Sequence, residues 1–333
     1  MRILIILHTG RAGPYVMMDL ADTFTELGHE VVFMRTDELC KVADEMPTTE
    51  GLHELGRNIL SLKPDVAMGY GATALFYFRI KDGPFVNVFE SLRIPYCSIF
   101  YDNPMLDIVF TSVALTADAQ HHFMFIWDRY YTGELKNLGF KNTYFMPIAA
   151  NTKRYRKLPE NLRAESPFAC DVSFVGSWSP KRDLVLRHLA GFELAVYGYD
   201  WERSSVGLQD KSRGPAHNMS ELPFLYNYSK INVNVTMEQG ITSLNMRVFD
   251  VIACEGFLIS DYKPDFEELF DMDKEIVCYR SVEELPGLVD YYLKNEKERK
   301  EKAAAARRRV LREHTYKKRA KFILDTLKEN GIG

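Results

Sequence analysis

At 333 residues, with 46% hydrophobic and 26% charged positions, the chain has the composition of an ordinary globular protein long enough for two domains. A formal net charge of -4 excludes a global attraction to nucleic acid. The five cysteines, Cys40, Cys97, Cys170, Cys254 and Cys278, form no Cys-x-x-Cys pair, which excludes the usual zinc and dithiol spacings and suits small core residues of a reducing cytoplasm.

The apolar start Ile3 to Leu7 is too short for a secretory signal and runs directly into a glycine turn. No later apolar run reaches the roughly 18 residues of a membrane span, so no transmembrane segment is expected. Strand-like runs then recur at Val31 to Met34, Val66 to Tyr70, Tyr96 to Tyr101, Phe123 to Trp127 and Tyr144 to Pro147. Their continuous apolar character fits strands covered on both faces. Between them, Tyr15 to Leu27 reads as a helix ended by Gly28, and Gly51 to Leu62 as one that stops before Pro64. Alternating strand and helix predicts a doubly wound parallel sheet over residues 1–150.

Residues 151–168 lose apolar periodicity in Asn, Lys, Arg, Pro and Glu, as an interdomain linker does. A second α/β series follows over residues 169–313, with strands at Val172 to Val175, Leu194 to Tyr197, Ile231 to Val235, Phe257 to Ser260 and Ile276 to Tyr279. Past Val282 the chain reads as helical to about Lys328, with the stretch 314–333 as a separate terminal helix. Two Rossmann-like sheets in tandem place a ligand in the crevice where the carboxyl ends of their strands face each other.

Several turns carry residues suited to ligands. The turn after the first strand holds His8, Gly10 and Gly13; it lacks the full Gly-x-Gly-x-x-Gly spacing, which disfavours a dinucleotide dehydrogenase. Tyr101-Asp102-Asn103-Pro104 sets a carboxylate at the end of the fourth strand, either facing a ligand or shaping an Asx turn. Asp128 ends the fifth strand and also reads as a helix cap. In the second series, Gly176, Ser177 and Trp178 lead into a helix bearing Lys181 and Arg182, the strand-glycine-helix order that receives anions. Tyr199 and Trp201 close the next strand as candidate stacking groups.

Gly240, Thr242, Ser243 and Asn245 then offer hydroxyls and amides ahead of a helix N-terminus, which suits a diphosphate; Arg247 adds charge, and Asp250 lies about two turns into the helix. Asp271-Met-Asp273 mimics a metal motif but follows a helical segment in the second half of the chain, so it is read as a surface loop and no metal is expected.

Asn245, Arg247, Phe249, Ala253, Cys254, Gly256, Phe257, Leu258 and Ser260 resemble the C-terminal signature of glycosyltransferases of the GT-B fold, most closely the spore-maturation, CgeB-like branch. Glu275 to Tyr279, and His314, Tyr316 and Arg319, extend the resemblance. Asp250 stands where that family has Glu, Glu255 replaces its first Gly, and Thr242 stands where many relatives carry a second Glu. The resemblance implies a metal-independent, cytoplasmic enzyme with no cofactor beyond its nucleotide-sugar donor, UDP-sugar favoured, and a glycan or protein acceptor on a cell surface, spore coat or flagellum. It also implies that the last helix crosses back onto the first domain. By the same resemblance, Arg247 and Arg182 stabilise the departing diphosphate, Asp250 holds the ribose, and Asp102 or His8 serves on the acceptor side. A nucleotide-sugar epimerase or hydrolase, or a non-catalytic nucleotide-sugar binder, are the alternatives.

Overall fold

The computed structural model describes residues 1–7, 13–35, 49–71, 77–79, 85–106, 121–204, 207–218 and 220–333. These residues divide into two compact units, Met1–Pro147 with Tyr316–Gly333, and Ile148–Thr315.

The first unit contains β1 (Arg2–Leu7), β2 (Glu30–Arg35), β3 (Val66–Tyr70), β4 (Tyr77–Arg79), β5 (Phe85–Asn87), β6 (Tyr96–Phe100), β7 (His122–Ile126) and β8 (Thr143–Phe145). Six of them form one sheet in the order β2-β1-β3-β6-β7-β8, and every pairing in it is parallel. Ile3 to Ile6 and Tyr96 to Phe100 are almost wholly buried, which is why these strands read as unbroken apolar runs. The ribbon β4-β5 is antiparallel and falls outside the sequence expectation, because three-residue strands carry too little pattern to detect.

Helix Gly13–Glu26 turns Val16, Met17, Leu20 and Phe24 inward and gives way to Gly28 at a φ of 87°, the left-handed closure expected there. The C-terminal helix Tyr316–Glu329 buries Ala320, Ile323 and Leu327. Arg319 Nε donates to the Pro147 carbonyl at 2.5 Å, and the Phe322 ring meets Phe125 edge-on at 5.9 Å, so this helix packs within the first unit.

The second unit orders its strands β10-β9-β11-β12-β13, where β9 is Cys170–Val175, β10 Leu194–Tyr197, β11 Ser229–Asn234, β12 Leu258–Asp261 and β13 Val277–Tyr279. All its pairings are parallel too. Strand order reverses between β9 and β11, which makes the carboxyl ends of those two strands the place where a crevice opens in such a sheet. Residues 151–168, expected to be a linker, are tied to this unit. Leu158 N donates to Asn227 Oδ1 at 2.8 Å, Arg163 Nε donates to the Tyr228 carbonyl at 2.9 Å, and Tyr155 is buried against Tyr226. Polar bonds to backbone hold the segment, so it shows no apolar period. Among the described residues no helix is long and apolar enough to cross a membrane.

Helix Met246–Ala253, which carries the signature, ends at Cys254, and Glu255 follows it at a φ of 62°. That left-handed conformation favours glycine, the residue the CgeB-like pattern places there. Glu255 tolerates it while its carboxylate pairs with Lys157 Nζ at 2.5 Å and with Arg307 Nη1 at 3.7 Å. Glu255→Ala loses the ion pairs and keeps the strain, whereas Glu255→Gly loses both together. Urea titration should therefore find the Gly variant about 1 kcal/mol more stable than the Ala variant.

Candidate functional site

At the reversal point, β9 runs into Gly176, which has a φ of 156° and donates from its backbone N to the Tyr197 carbonyl at 2.7 Å. A Cβ placed on Gly176 would meet Arg247 Nη2 at 3.0 Å and Arg182 Nη1 at 3.1 Å. Two guanidinium tips thus converge on one glycine. Both also lie over the Phe174 ring, at 5.6 Å for Arg182 and 5.9 Å for Arg247.

Arg182 is 5% exposed and donates to the Ser177 carbonyl at 2.8 Å and to the Val235 carbonyl at 3.4 Å. Arg247 Nη1 donates to Asn234 Oδ1 at 3.3 Å. Neither guanidinium forms an ion pair among the described residues. Burial, and then the Arg247 cation, push Arg182 down to about 9, and burial also lowers Arg247. Both remain charged at neutral pH. Two like charges about 6 Å apart in surroundings of effective dielectric about 20 repel by about 3 kcal/mol, a cost that an anion between them removes.

Asn234 organises the pair. Its side chain accepts from Asn245 Nδ2 at 3.0 Å as well as from Arg247, and its own Nδ2 donates to Ser260 Oγ at 3.0 Å. Asn245 therefore turns away from capping its helix, and its Oδ1 is buried with no partner among the described residues. Trp178 Nε1 is in the same condition, with Arg203 stacked 4.3 Å over the ring. Buried polar atoms left unpaired cost free energy unless a ligand engages them.

The loop from Thr236 to Asn245 is fixed from below. Asp261, at the end of β12, accepts from Thr236 N at 2.9 Å and Thr236 Oγ1 at 2.5 Å, and pairs with Lys181 at 3.2 Å. Lys181 also donates to the Thr236 carbonyl at 2.7 Å. Of the two cations expected beside a diphosphate, Lys181 is thus held by the loop's own anchor, while Arg182 has no carboxylate partner among the described residues. Lys263 Nζ donates to the Gly240 carbonyl at 2.5 Å, and Asp265 N donates to the Thr242 carbonyl at 3.1 Å. Ser243 is buried beneath Gly240.

The remaining expected residues divide between the units. Tyr199 is 48% exposed, with its carbonyl accepting from Trp178 N, while Trp201 is core and donates from Nε1 to the Gly176 carbonyl at 2.8 Å. Asp250 is 7% exposed and its charge bears on the phenols of Tyr155 and Tyr226, which burial raises above the ordinary tyrosine range. A ribose hydroxyl would reach it only at an edge. In the first unit, exposed Asp102 Oδ2 accepts from Tyr70 OH at 2.6 Å, across the adjoining ends of β3 and β6. Gly13 opens the first helix, Asp128 caps helix Arg129–Asn137, and His8 and Gly10 lie outside the described residues.

Asp271 Oδ1 caps the amides of Asp273 and Lys274 at 3.1 Å, an Asx turn, and no group of three His, Cys, Asp or Glu suited to a metal occurs among the described residues. Sequence reasoning missed Asn234, Asp261 and Lys263. An asparagine inside the apolar run Ile231 to Val235 was the available signal for the first; the other two are brought in by the fold alone.

Residues 182–325 match the model of the glycosyl transferase-like family. The spore protein CgeB of Bacillus subtilis is 25% identical over 193 residues, which are 51% of this chain and 56% of that protein, so the match spans about half of the curated relative. Among solved structures, Anabaena HepE in complex with UDP-glucose superposes with a TM-score of 0.70 at 12% identity, covering 98% of this chain and 99% of that one. The sucrose-phosphate synthase of Thermosynechococcus elongatus superposes with a TM-score of 0.68 at 11% identity, covering 98% of both chains.

The chain has the GT-B fold, and over about half its length it is similar to the spore protein CgeB. Its matched segment starts at Arg182, takes in Asn245 and Arg247, and runs into the C-terminal helix. The GT-B assignment rests on the all-parallel main sheet of each unit together with superpositions that cover 98% of this chain.

Proposed function

We propose that the chain is a glycosyltransferase that moves a sugar from a UDP-sugar to an acceptor hydroxyl. The observation that carries this reading is the pair Arg182 and Arg247, one buried and one half-buried guanidinium without carboxylate partners among the described residues, at the switch point of a parallel sheet. Their charges balance a diphosphate, and the amides at the start of helix Met246–Ala253 add dipoles of the same sense. Asn245 Oδ1 accepts from a donor hydroxyl and Trp178 Nε1 donates to a donor oxygen, which satisfies both unpaired atoms. Asp250 holds the ribose edge.

In the reaction, the acceptor oxygen bonds to the anomeric carbon while the bond from that carbon to the diphosphate oxygen breaks, and the electron pair leaves with UDP. Preorganised cations stabilise that charge without needing to reorganise. Asp102 takes the acceptor proton, with Tyr70 orienting its carboxylate. Consistent with the resemblance, the acceptor is a cell-surface, spore-coat or flagellar polymer or protein, and transfer takes place in the cytoplasm.

A thermal-shift screen of nucleoside diphosphates and their sugars tests the donor half of this reading. UDP at 100 times its dissociation constant should stabilise the protein by about 2.7 kcal/mol. No shift from any nucleoside diphosphate at millimolar concentration would sink it, and rapid epimerisation of UDP-sugar without acceptor would replace transfer by epimerisation. Asp102→Asn tests the acceptor half: it should lower kcat about 100-fold or more while the UDP shift stays unchanged. Unaltered turnover would remove Asp102 from the chemistry.

A further inference from the structure

A second cavity lies at the opposite end of the sheet of the second unit, where β9, β11 and β12 begin. Its volume is about 260 Å³, and its lining includes Arg163, Ser229, Lys230, Gly256, Phe257 and Arg299. It is entirely separate from Gly176, Asn245 and Arg247, which stand at the strands' carboxyl ends. Five cationic side chains face it, Lys157, Arg163, Lys230, Arg299 and Lys300, against three anionic ones, Glu160, Glu255 and Glu296.

The lysines take up the carboxylates. Lys157 pairs with Glu255 at 2.5 Å, Lys300 with Glu160 at 2.7 Å and Glu296 at 2.9 Å, and Lys230 with Asp171 at 2.6 Å. Among the described residues the two arginines have no carboxylate partner. There the Arg163 side chain bonds only to the carbonyls of Tyr228 at 2.9 Å and Cys170 at 3.3 Å. Arg299 is 6% exposed, and its side chain bonds among those residues only to the Tyr292 carbonyl at 2.5 Å. A guanidinium carries five N–H donors, so most of those on Arg299 remain for whatever fills the cavity. Burial lowers Arg299 most, Glu296 and Asp171 oppose that, and the neighbouring Arg163 cation adds to it. A buried cation served by a single carbonyl is costly to keep unless an anion completes it.

We infer that this cavity is a binding site for a compact multivalent anion, bearing phosphate or carboxylate groups, held by the paired forks of Arg163 and Arg299. Its volume corresponds to about eight waters, more than a single phosphate fills. Planar guanidiniums suit such groups because each offers two parallel donors. The turn Cys254-Glu255-Gly256 that walls the cavity ends the helix whose other end carries Arg247, so bound anion rests against the far end of the signature helix.

The test uses the full chain carrying Arg247→Ala, which weakens the switch-point site, and the Arg163→Gln comparison assigns the binding that remains. Pyrophosphate and citrate are titrated separately by calorimetry, at ionic strength matched with sodium chloride. The expected result is saturable binding of at least one of them, pyrophosphate marking a phosphate ligand and citrate a carboxylate ligand. Adding Arg163→Gln should weaken that binding at least tenfold, and Arg299→Lys, which keeps the charge but not the fork, should weaken it as well. Absence of saturable binding by either probe, or binding undiminished in the Arg163→Gln protein, overturns the proposal. Because the screen of UDP and its sugars uses the unmutated switch-point site, failure there is read independently of failure here.

Discussion

Arg247→Ala is expected to weaken UDP binding by about 100-fold or more while leaving the unliganded protein folded. Hydrogen bonds to charged groups are each worth about 1.5 to 3 kcal/mol, and this half-buried guanidinium supplies them beside a second cation. Within the unliganded protein Arg247 makes a single 3.3 Å bond to Asn234 Oδ1 and repels Arg182. Deleting it removes repulsion as well as packing, and the Arg182 guanidinium should move back up toward its ordinary range. Thermal shift with and without UDP reads both effects at once. A variant that keeps the full UDP shift would show that the diphosphate lies elsewhere, and one that fails to fold would show that Arg247 is structural.

Gly198→Ala is expected to cost about 4 kcal/mol and to lower the melting temperature of the protein by about 10 °C. A Cβ at Gly198 would stand 2.0 Å from the Gly176 carbonyl oxygen and 3.0 Å from Ser177 N. Both atoms belong to the backbone of the Gly176–Ser177 peptide, which cannot give way as a flexible side chain would. The φ of 155° is also one that side chains disfavour. Relief requires the Gly176 turn to move, which breaks the 2.8 Å bond from Trp201 Nε1 and shifts the glycine on which both guanidiniums converge. UDP binding should therefore weaken along with stability. Gly191→Ala, where nothing lies within 4 Å, serves as the control. A fall in melting temperature of less than about 2 °C for Gly198→Ala would show that the two turns are not in the close contact described.

Much of this architecture could be read in the chain. Continuous apolar runs such as Ile3 to Leu7 and Phe123 to Trp127 mark strands covered on both faces, and helices between them end at glycine or before proline, so alternation alone implied two parallel sheets. The motif from Asn245 to Ser260 located the helix that supplies Arg247. Arg182 was preferred to Lys181 on the bidentate geometry of its side chain, but which way the helix turns each of these adjacent residues was beyond sequence. The fold directs Lys181 to Asp261, 80 positions away, and Arg182 to Gly176.

Glu255 shows the same division. Its departure from the family's glycine was visible as a substitution, but the partners that make it tolerable, Lys157 and Arg307, lie 98 residues before and 52 residues after it. Likewise, the loss of apolar period in residues 151–168 read as a linker, because hydrogen bonds to distant carbonyls leave no local signature.

By itself, then, the sequence determined the order and kind of most elements and singled out one signature motif, since periodicity and helix capping are properties of neighbouring residues. Tertiary structure alone decided which cations meet, which are neutralised, and where unpaired polar atoms remain. Those outcomes depend on strand order, which brings β9 beside β11 across more than fifty intervening residues and sets Arg182 and Arg247 against a single glycine.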